Sequence, residues 1–451
     1  MQAETPPDLM PSTKAPSSFR SGARFSGDDL THWAWTEPSV WTNPMLATLE
    51  YQRVRGGKWH SLIDKVYRPE NLFSAYREVA ANRGAPGIDH VTIEDFTAGL
   101  MRNLTKLHDQ LQSGDYRPQA IKRVHIPKPG TRETRPLGIP TVRDRVVQAA
   151  LRHVLEPILE RQFAPHSYGF RPDRGCKDAL RRVDGLVKKG YNYTVDVDLK
   201  SYFDTIPHHR LIQELRKYVA DNQVIGLVEK FLQAEVMDGL EHWTPTSGAP
   251  QGAIISPLLS NLYLNELDHE MASSGYEMTR YADDLVIQCQ TREEAEAALA
   301  LVQQWTTGHG LTLHPTKTKI VHVDEEGFEF LGYRFIRHRR FPRRKSLTKF
   351  KDAIRSKTKR TSGRSLQMTI VDLNRLLRGW FEYFKHCYVT TFCDLDRWIR
   401  GRLRSILRKR HGGRGRGRGL DHHRYPNRLF AELGLFSLTA AHARECQSCF
   451  R

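Results

Sequence analysis

Two adjacent carboxylates, those of Asp283 and Asp284, constrain the fold of this chain more than any other feature of its sequence. They lie between residues 276–281, which are aromatic and alternating, and residues 285–289, which are β-branched and apolar. Such flanks are typical of two strands joined as a hairpin. Strand side chains alternate between faces, so neighbouring aspartates can serve one site only where the backbone turns. We predict a turn here, with Asp283 as the principal metal ligand and Asp284 as a secondary one, although an isolated Asp-Asp pair is more often a solvated loop.

A second acidic segment, residues 193–199, alternates as a strand and carries Asp196 and Asp198 before Pro207 ends regular structure. An aspartate in an apolar strand is costly unless it binds a cation or a hydrogen-bond donor. If this strand lies about 4.8 Å from the hairpin, carboxylates of both could share two divalent ions about 3.5–4 Å apart. Such sites are typical of polymerases and nucleases, where one ion activates a 3′-hydroxyl and the other stabilises the leaving pyrophosphate.

The charge balance favours an anionic partner. The 451 residues include 69 Lys and Arg against 51 Asp and Glu, a formal net charge of +18, as expected for a protein that displaces counterions from phosphates. Six scattered cysteines do not indicate a disulfide framework. No apolar run reaches about 18 residues, and the N-terminus lacks a secretory leader. We expect a soluble protein of a bacterial-type cytoplasm, with access to the nucleoid and no membrane partner.

Several motifs follow one another in order along the chain. Two of them are Asp198 with Phe203 five residues later, and Tyr281-Ala282-Asp283-Asp284. The others are residues 126–130 (IPKPG), 135–140 (RPLGIP), 167–172 (SYGFRP), 249–261 (APQGAIISPLLSN), 317–319 (KTK) and 330–333 (FLGY). This series, over roughly residues 60–440, resembles the group II intron-encoded reverse transcriptases. The resemblance implies an α+β right-hand polymerase, with fingers and a palm of split βαβ type, followed by a helical thumb and maturase domain.

The resemblance also implies catalytic and metal-binding roles. It assigns them to Asp198, Asp283 and Asp284, which together with the Leu199 carbonyl would hold two Mg²⁺ ions. Asp196 is the less favoured alternative, because period two places it on the right face but no aromatic residue follows it at the matching spacing.

A set of nucleotide-binding residues is implied in the same way: Lys128, Arg135, Ser201, Tyr202, Phe203, Gln251 and Lys319. Phe203 would lie under the incoming sugar, where a rigid ring leaves no room for a 2′-hydroxyl and favours deoxynucleotides. An ordinary core Phe would fit the sequence equally well. Lys128 and Arg135 fall in a basic segment broken by Pro and Gly, which suggests a fingers β-loop whose cations clamp a triphosphate, although most cations in such loops are only solvated.

Beyond residue 340 the sequence becomes helical and basic. Apolar spacing predicts helices over residues 350–360, 373–384 and 395–409, and ten cations with no acid fall between Arg397 and Arg418. These helices are expected to form a thumb that closes on a duplex. Residues 378–384 resemble the maturase motif, so RNA contacts are expected at Arg378, Trp380, Arg400, Arg404 and Arg408. A core Trp in a helical bundle fits the same pattern.

The predicted domains are an N-terminal extension, partly disordered (1–60), fingers and palm (61–340), a thumb and maturase domain (341–405) and a basic DNA- or RNA-binding tail (406–451). Within the tail, the Arg-Gly repeat of residues 412–419 cannot form a stable helix and offers flexible charge, unless it is only a linker. His442, Cys446 and Cys449 lack a clear fourth ligand, so zinc is not expected. The paired Cys clusters and His-Asn-His segment of a C-terminal endonuclease are missing, so primers are expected from elsewhere, such as a replication fork.

Together these features predict an RNA-directed DNA polymerase that is also a splicing maturase for its host intron. Its partners would be a group II intron RNA template, a DNA primer or target, and deoxynucleoside triphosphates. One alternative is a non-catalytic RNA-binding splicing factor, but three costly carboxylates in apolar strands argue against a retired site. Another is a domesticated reverse transcriptase in phage defence, a CRISPR locus or a retron. The segment from Gln251 to Pro257 and the helix around Trp380 favour the intron type.

Overall fold

The computed structural model describes residues 57–127, 134–417 and 419–448. The predicted N-terminal extension lies almost entirely outside these ranges. Among the described residues, no helix is both long and apolar enough to cross a membrane.

The first part of the described chain is helical and carries a small sheet. Its helices are α1 (Ile63–Tyr67), α2 (Pro69–Ala81), α3 (Ile93–Ala98), α4 (Leu100–Ser113) and α5 (Val142–Glu160). The sheet has the order β2-β1-β4-β5 and consists of β1 (Ile121–Pro127), β2 (Thr134–Ile139), β4 (Val236–Asp238) and β5 (Glu241–Trp243). Buried Asn71 joins α2 to α5 by donating to the Ala150 carbonyl at 3.0 Å. The predicted fingers loop is thus an antiparallel β1–β2 hairpin.

A four-stranded antiparallel sheet of order β6-β7-β3-β8 forms the centre of the molecule. Its strands are β3 (Tyr193–Asp198), β6 (Glu277–Tyr281), β7 (Asp284–Cys289) and β8 (Lys319–His322). The helices of this region are α6 (Cys176–Lys188), α7 (Tyr202–Thr205), α8 (His208–Tyr218), α9 (Asn222–Leu232), α10 (Ser256–Ser273) and α11 (Arg292–Gly308). Helix α6 packs on the sheet face that carries Val286. The opposite face carries Arg280, whose side chain contacts α10.

The remainder of the described chain is a short sheet followed by helices. The strands are β9 (Phe328–Phe330), β10 (Tyr333–Ile336) and β11 (Arg339–Pro342), and the helices are α12 (Arg344–Lys357), α13 (Leu366–Phe384), α14 (Val389–Arg410), α15 (Asp421–Arg424), α16 (Asn427–Glu432) and α17 (Leu438–Ser448). One hydrophobic core runs through both regions, because Val286 and Val321 of the central sheet belong to the same cluster as Phe381 and Leu403. In this α+β fold, the sheet face of the palm that carries Val286 is therefore continuous with the core of the helical region.

The segment after residue 405, predicted as a basic tail, folds onto the helical region instead. Helix α14 continues to Arg410, so the predicted boundary falls inside a helix. Phe430 and Leu438 are fully buried. The Arg-Gly segment packs along α14, where the Gly413 amide donates to the Arg408 carbonyl at 2.8 Å and the Gly417 amide to the Ser405 hydroxyl at 3.1 Å. Gly413 and Gly417 thus allow close contact with α14, whereas an added Cβ atom at Gly412, Gly415 or Gly419 would meet nothing within 4 Å.

Candidate active site

The acidic pair lies at a two-residue hairpin turn, as its flanking residues predict. Tyr281 at the end of β6 pairs with Asp284 at the start of β7, which leaves Ala282 and Asp283 in the turn. Ala282 has a φ of 58°, in the left-handed region that residues other than glycine rarely adopt. The sequence Tyr-Ala-Asp-Asp thus forms a tight and strained connection between two paired strands.

The strand register brings a third carboxylate to this turn. Asp198, the last residue of β3, lies directly opposite Asp284 in the antiparallel β3–β7 pair. Opposite residues share one face of a sheet, with Cβ atoms about 4.5–5.5 Å apart. Asp196 lies two residues earlier, opposite Val286, so it shares that face. The two acidic segments therefore meet on one face of the sheet.

The acidic face forms one wall of a cavity of about 650 Å³. Asp196, Asp198 and Asp284 line it, while Asp283 lies in the turn and is not part of this wall. Desolvation by surrounding protein atoms raises the pKa of Asp284 to about 6, and the charges of Asp283 and Asp198 act in the same direction. Desolvation raises the pKa of Asp196 to about 6 as well, against the charge of Lys319. Burial also raises the pKa of Asp283.

A cation already lies beside one of these carboxylates. The Lys317 ammonium is 3.2 Å from Asp198, and the Thr318 hydroxyl accepts from the Asp198 amide at 3.3 Å. Within the motif of residues 317–319, the sequence interpretation assigns a nucleotide-binding role only to Lys319. Lys317 is therefore a site residue that the sequence interpretation missed, although its place in the motif was a usable signal.

The donor set fits a hard divalent cation. Carboxylate oxygens are the ligands that Mg²⁺ prefers, and the crowding of like charges on this face is relieved by a bound cation. Leu199 and Leu313 form an isolated β-bridge, whose hydrogen bonds are made by the Lys200 amide and the Asp198 carbonyl. The Leu199 carbonyl therefore makes no hydrogen bond in this bridge. Within the described ranges, no three His, Cys, Asp or Glu side chains already converge as a metal cage.

A second cavity, of about 390 Å³, lies between the β1–β2 hairpin and the motif that precedes α10. Phe203 and Gln251 both line it, together with Arg123 and Trp243, whose guanidinium and ring are 4.8 Å apart. Phe203 and Gln251, both predicted to contact the nucleotide, therefore line the same cavity. Arg123 and Trp243 had no motif to mark them, because their strands meet only in the folded chain.

Gly252, next to Gln251, lies in close contact with strand β2. Its φ is +109°, and a Cβ atom there would lie 2.5 Å from the Gly138 carbonyl. The neighbouring Gln251 carbonyl accepts from the Gly138 amide at 2.7 Å. The glycine lets this loop pack on strand β2.

The other predicted nucleotide contacts do not gather around the second cavity. Tyr202 is fully buried and donates to the Ser260 carbonyl at 2.8 Å, so its side chain holds α10 and is not available to a nucleotide. Arg135 is exposed on β2, and Lys319 lines the acidic cavity. Ser201 is exposed in a left-handed turn before α7. Lys128 lies outside the described residues.

The predicted RNA contacts are mostly structural. Arg404 is only 4% exposed and donates to the Tyr425 carbonyl at 2.9 Å and to Asn427 at 2.6 Å. Arg408 bonds to Asp421 at 2.6 Å. The Trp380 ring stacks on Phe350 and Phe384, with centroids 4.3 and 4.8 Å away. The burial of Arg404 and the stacking of Trp380 between two aromatic rings therefore do not fit RNA contact by either side chain.

Arg378 and Arg400 keep some surface. Arg378 is exposed over the Phe436 ring at 4.7 Å, and Arg400 is partly exposed. At the C-terminal end, His442 and Cys446 lie one turn apart on α17, 3.8 Å from each other, whereas Cys449 lies outside the described residues.

A different group of cations surrounds one aromatic ring. Lys351 and Arg355 of α12 and Arg402 of α14 lie 5.6–5.7 Å from the centre of the Trp398 ring. Each helix supplies its pair with a spacing of four residues, which is one helical turn. We name these four residues the Trp398 cluster. The i, i+4 spacing was visible in the sequence, but the meeting of the two helices was not.

Known proteins resemble both halves of this arrangement. A family model described as reverse transcriptase (RNA-dependent DNA polymerase) matches residues 126–335. A second, described as the group II intron maturase-specific domain, matches residues 347–425. The acidic turn lies within the first match and the Trp398 cluster within the second.

Among curated proteins, Protein YkfC of Escherichia coli (strain K12) is 36% identical over 352 residues, covering 69% of this chain and 87% of that protein. The group II intron-encoded protein LtrA of Lactococcus lactis subsp. cremoris is 38% identical over 203 residues, which span 45% of this chain and 33% of LtrA. Among solved structures, a chain of the partial Cas6-RT-Cas1–Cas2 complex is 22% identical, with a TM-score of 0.36. This match covers 55% of the present chain and 41% of that chain. The last likeness is too weak to support a function. The chain therefore belongs to the group II intron-encoded reverse transcriptases and maturases, a family of RNA-directed DNA polymerases that act on nucleic acids and use divalent metal ions.

Proposed function

We propose that this chain copies intron RNA into DNA at the carboxylates of Asp198, Asp283 and Asp284, and that its helical region binds the same RNA to promote splicing. The observation that carries the proposal is the register that sets Asp198 opposite Asp284 on the wall of the acidic cavity. Two Mg²⁺ ions held by these residues and the Leu199 carbonyl would activate the primer 3′-hydroxyl and neutralise the triphosphate. The protein would act in the cytoplasm.

In this proposal the rigid strands β3 and β7 keep the carboxylates of Asp198 and Asp284 at a fixed separation. Pairing along both strands prevents them from moving apart, which reduces the reorganisation needed during the reaction. Lys317, 3.2 Å from Asp198, balances part of the negative charge on this wall and, with a cation bound there, would be available to a phosphate oxygen. Asp283 adds negative charge from the turn.

The second cavity is proposed as the place of the incoming deoxynucleoside triphosphate. Its volume of about 390 Å³ lies within the range typical of small-ligand sites. Phe203 would contact the sugar and exclude a 2′-hydroxyl, and Gln251 would contact the base or the template. Lys128, Arg135 and Lys319 would pair with phosphates.

RNA contact is proposed for the Trp398 cluster, with Arg378 and Arg400 as further contacts. Lys351, Arg355 and Arg402 lie within 6 Å of one ring, and the charges of Arg355 and Arg360 add to burial in lowering the pKa of Arg402. Arg355 also pairs with Asp352 and Arg402 donates to Thr358, so part of the donor capacity of the cluster is already used. A phosphodiester satisfies this arrangement, and an aromatic ring can stack on an unpaired base.

The test compares two activities of the same variants. Asp198→Asn and Asp284→Asn are each expected to reduce Mg²⁺-dependent primer extension on an RNA template by at least about a thousandfold, while intron binding and splicing stay within about twofold of the unchanged protein. Asp196→Asn alters the same wall outside the triad and is expected to cost less than about tenfold. Equal loss of extension and splicing in the Asp198 and Asp284 variants would contradict the two-function proposal.

A further inference from the structure

A buried hydrogen-bond network lies directly behind the acidic turn. Arg280 lies two residues before Ala282, the first residue of the turn, and is 0% exposed. Its guanidinium donates to the Asp268 carboxylate through Nε at 2.8 Å and also through Nη2. The Nη1 atom donates both to Asn261 Oδ1 and to the Ala282 carbonyl, each at 2.9 Å. One side chain thus joins α10 to the backbone of the turn itself.

The network extends to a segment that packs against the turn from the other side. Asn261 also donates to the Gly169 carbonyl at 2.7 Å. Gly169 lies so close to the turn that a Cβ atom there would be 2.3 Å from the Ala282 amide. The Tyr168 amide donates to the Arg280 carbonyl at 2.9 Å. The turn backbone is therefore enclosed by α10 and by the segment around Gly169.

Ala282 explains why such an enclosure is needed. Its φ of 58° is a left-handed conformation that costs an alanine free energy and persists only when surrounding contacts fix it. Arg280 bonds to the carbonyl of this same residue. Without that bond the turn is expected to relax toward ordinary backbone angles, which would move the side chains of Asp283 and Asp284.

We propose that Arg280, Asp268 and Asn261 are positioning residues that hold the strained turn in the shape in which its aspartates bind divalent ions. A buried ion pair by itself is weak evidence for stability, because apolar residues of similar volume often replace it without loss. The fork of Arg280 does what apolar side chains cannot do, since it fixes a carbonyl of the turn relative to α10. The inference rests on the proposed function of the acidic triad.

The decisive variant is Arg280→Lys, which retains the charge and can reach Asp268 but lacks the planar fork that also bonds to Asn261 and Ala282. Binding of Mn²⁺, measured by electron paramagnetic resonance, is expected to weaken at least about tenfold. The rate constant kcat for primer extension is expected to fall, whereas KM for the template-primer stays unchanged. Mn²⁺ affinity that remains equal to that of the unchanged protein would overturn the inference.

A second change separates positioning from folding. Ala282→Gly removes the left-handed penalty, so in the Arg280→Lys background it is expected to restore most of the lost Mn²⁺ affinity and kcat. If it restores neither, the strain argument is wrong. Should Arg280→Lys fail to fold, Asn261→Ser, which shortens one acceptor, is measured in the same way and is expected to weaken Mn²⁺ binding too; unchanged binding would again overturn the inference.

Two controls keep the outcomes distinct. Arg404→Lys changes another buried arginine that donates to a backbone carbonyl, far along the chain in α14, and is expected to lower stability without changing Mn²⁺ affinity. Asp284→Asn tests the site itself. If Mn²⁺ binding does not depend on Asp284, the proposed active site fails; if it depends on Asp284 but not on Arg280, only the positioning inference fails.

Discussion

The palm and the helical region contain charged residues of two different kinds. In the palm, Asp198 and Asp284 lie on paired strands at the edge of a cavity, where solvent and ligands reach them. In the helical region, Arg404 and Arg408 bond to residues 421–427 and hold the C-terminal segment in place. The comparison teaches that acids in apolar strands can remain open to a cavity, whereas cations on a basic helix can be enclosed by later segments of the chain.

The physical reason is the range over which each pattern acts. Side chains alternate between the two faces of β3, so the neighbouring residues alone indicate which face Asp198 occupies. An unpaired buried carboxylate costs free energy in any part of a protein. A basic helix leaves open which of its faces later segments will cover. Residues 421–448 pack on one side of α14 and bury cations there, which no local pattern in α14 could indicate.

The largest effect expected in the helical region is from Arg404→Ala. Removing its guanidinium leaves the Tyr425 carbonyl without its donor in a buried place and removes the bond to exposed Asn427, so the free energy of unfolding should fall by about 3 kcal/mol. Chemical denaturation measures this. The exposed Arg414→Ala is the matched control and should stay within about 0.5 kcal/mol. A stable Arg404→Ala protein with lost RNA affinity would break the comparison.

In the palm the corresponding change is Phe203→Ala. If the ring excludes a 2′-hydroxyl, discrimination between deoxynucleotides and ribonucleotides should fall by about 10- to 100-fold, or about 1.4–2.7 kcal/mol. Single-nucleotide incorporation rates with each substrate give the ratio. Tyr202→Phe is the control, because its hydroxyl only bonds to the Ser260 carbonyl; it should leave the ratio unchanged. A ratio unaffected by Phe203→Ala would make Phe203 an ordinary core residue.

The Arg-Gly segment offers a smaller and sharper test. A Cβ atom at Gly417 would lie 2.8 Å from the Arg404 Cβ atom, so Gly417→Ala should destabilise the protein by about 1–2 kcal/mol. Gly401, inside α14, has nothing within 4 Å of its added Cβ, and Gly401→Ala should stabilise by about 0.5–1 kcal/mol. Thermal unfolding of both variants measures the difference. Equal behaviour would mean that the segment does not dock on α14.

The smallest effect is expected from the Trp398 cluster. Replacing Lys351 and Arg355 by Gln should reduce the slope of log affinity for RNA against log salt concentration by about 0.7–0.9 for each lost phosphate contact. Arg397→Gln, at an exposed arginine that pairs with Asp394, is the control and should leave the slope unchanged. An unaltered slope in the double variant would remove this cluster from the RNA surface.

Much of the local structure could be predicted from the sequence. The hairpin around Asp283 and Asp284, the strand that ends at Asp198, and the helices α12, α13 and α14 follow from period two, period 3.6 and turn residues. The structure begins all three helices earlier than predicted and ends α12 three residues sooner, because capping and packing decide the last turns. The roles of the three aspartates and of Phe203 stay predictions that rest on motifs and geometry.

Sequence reasoning did not identify other residues, because their partners belong to different helices and strands. Arg280 meets Asp268 and Asn261 only when β6 packs on α10. Lys317 meets Asp198 across 119 residues. Their motifs suggest that Trp380 and Tyr202 contact ligands. In the fold, the Trp380 ring stacks on Phe350 and Phe384, and Tyr202 is buried against α10.

The sequence by itself determined the secondary structure of the palm, the family motifs and the excess of positive charge, because each depends on local periodicity, local turn chemistry or composition. Only the tertiary structure decided which carboxylates face one another, which cations remain at the surface and what supports the strained turn at Ala282. Those properties depend on contacts between different helices and strands, whose residues are from 12 to 119 positions apart, and their energies come from burial, which exists only after the segments have packed together.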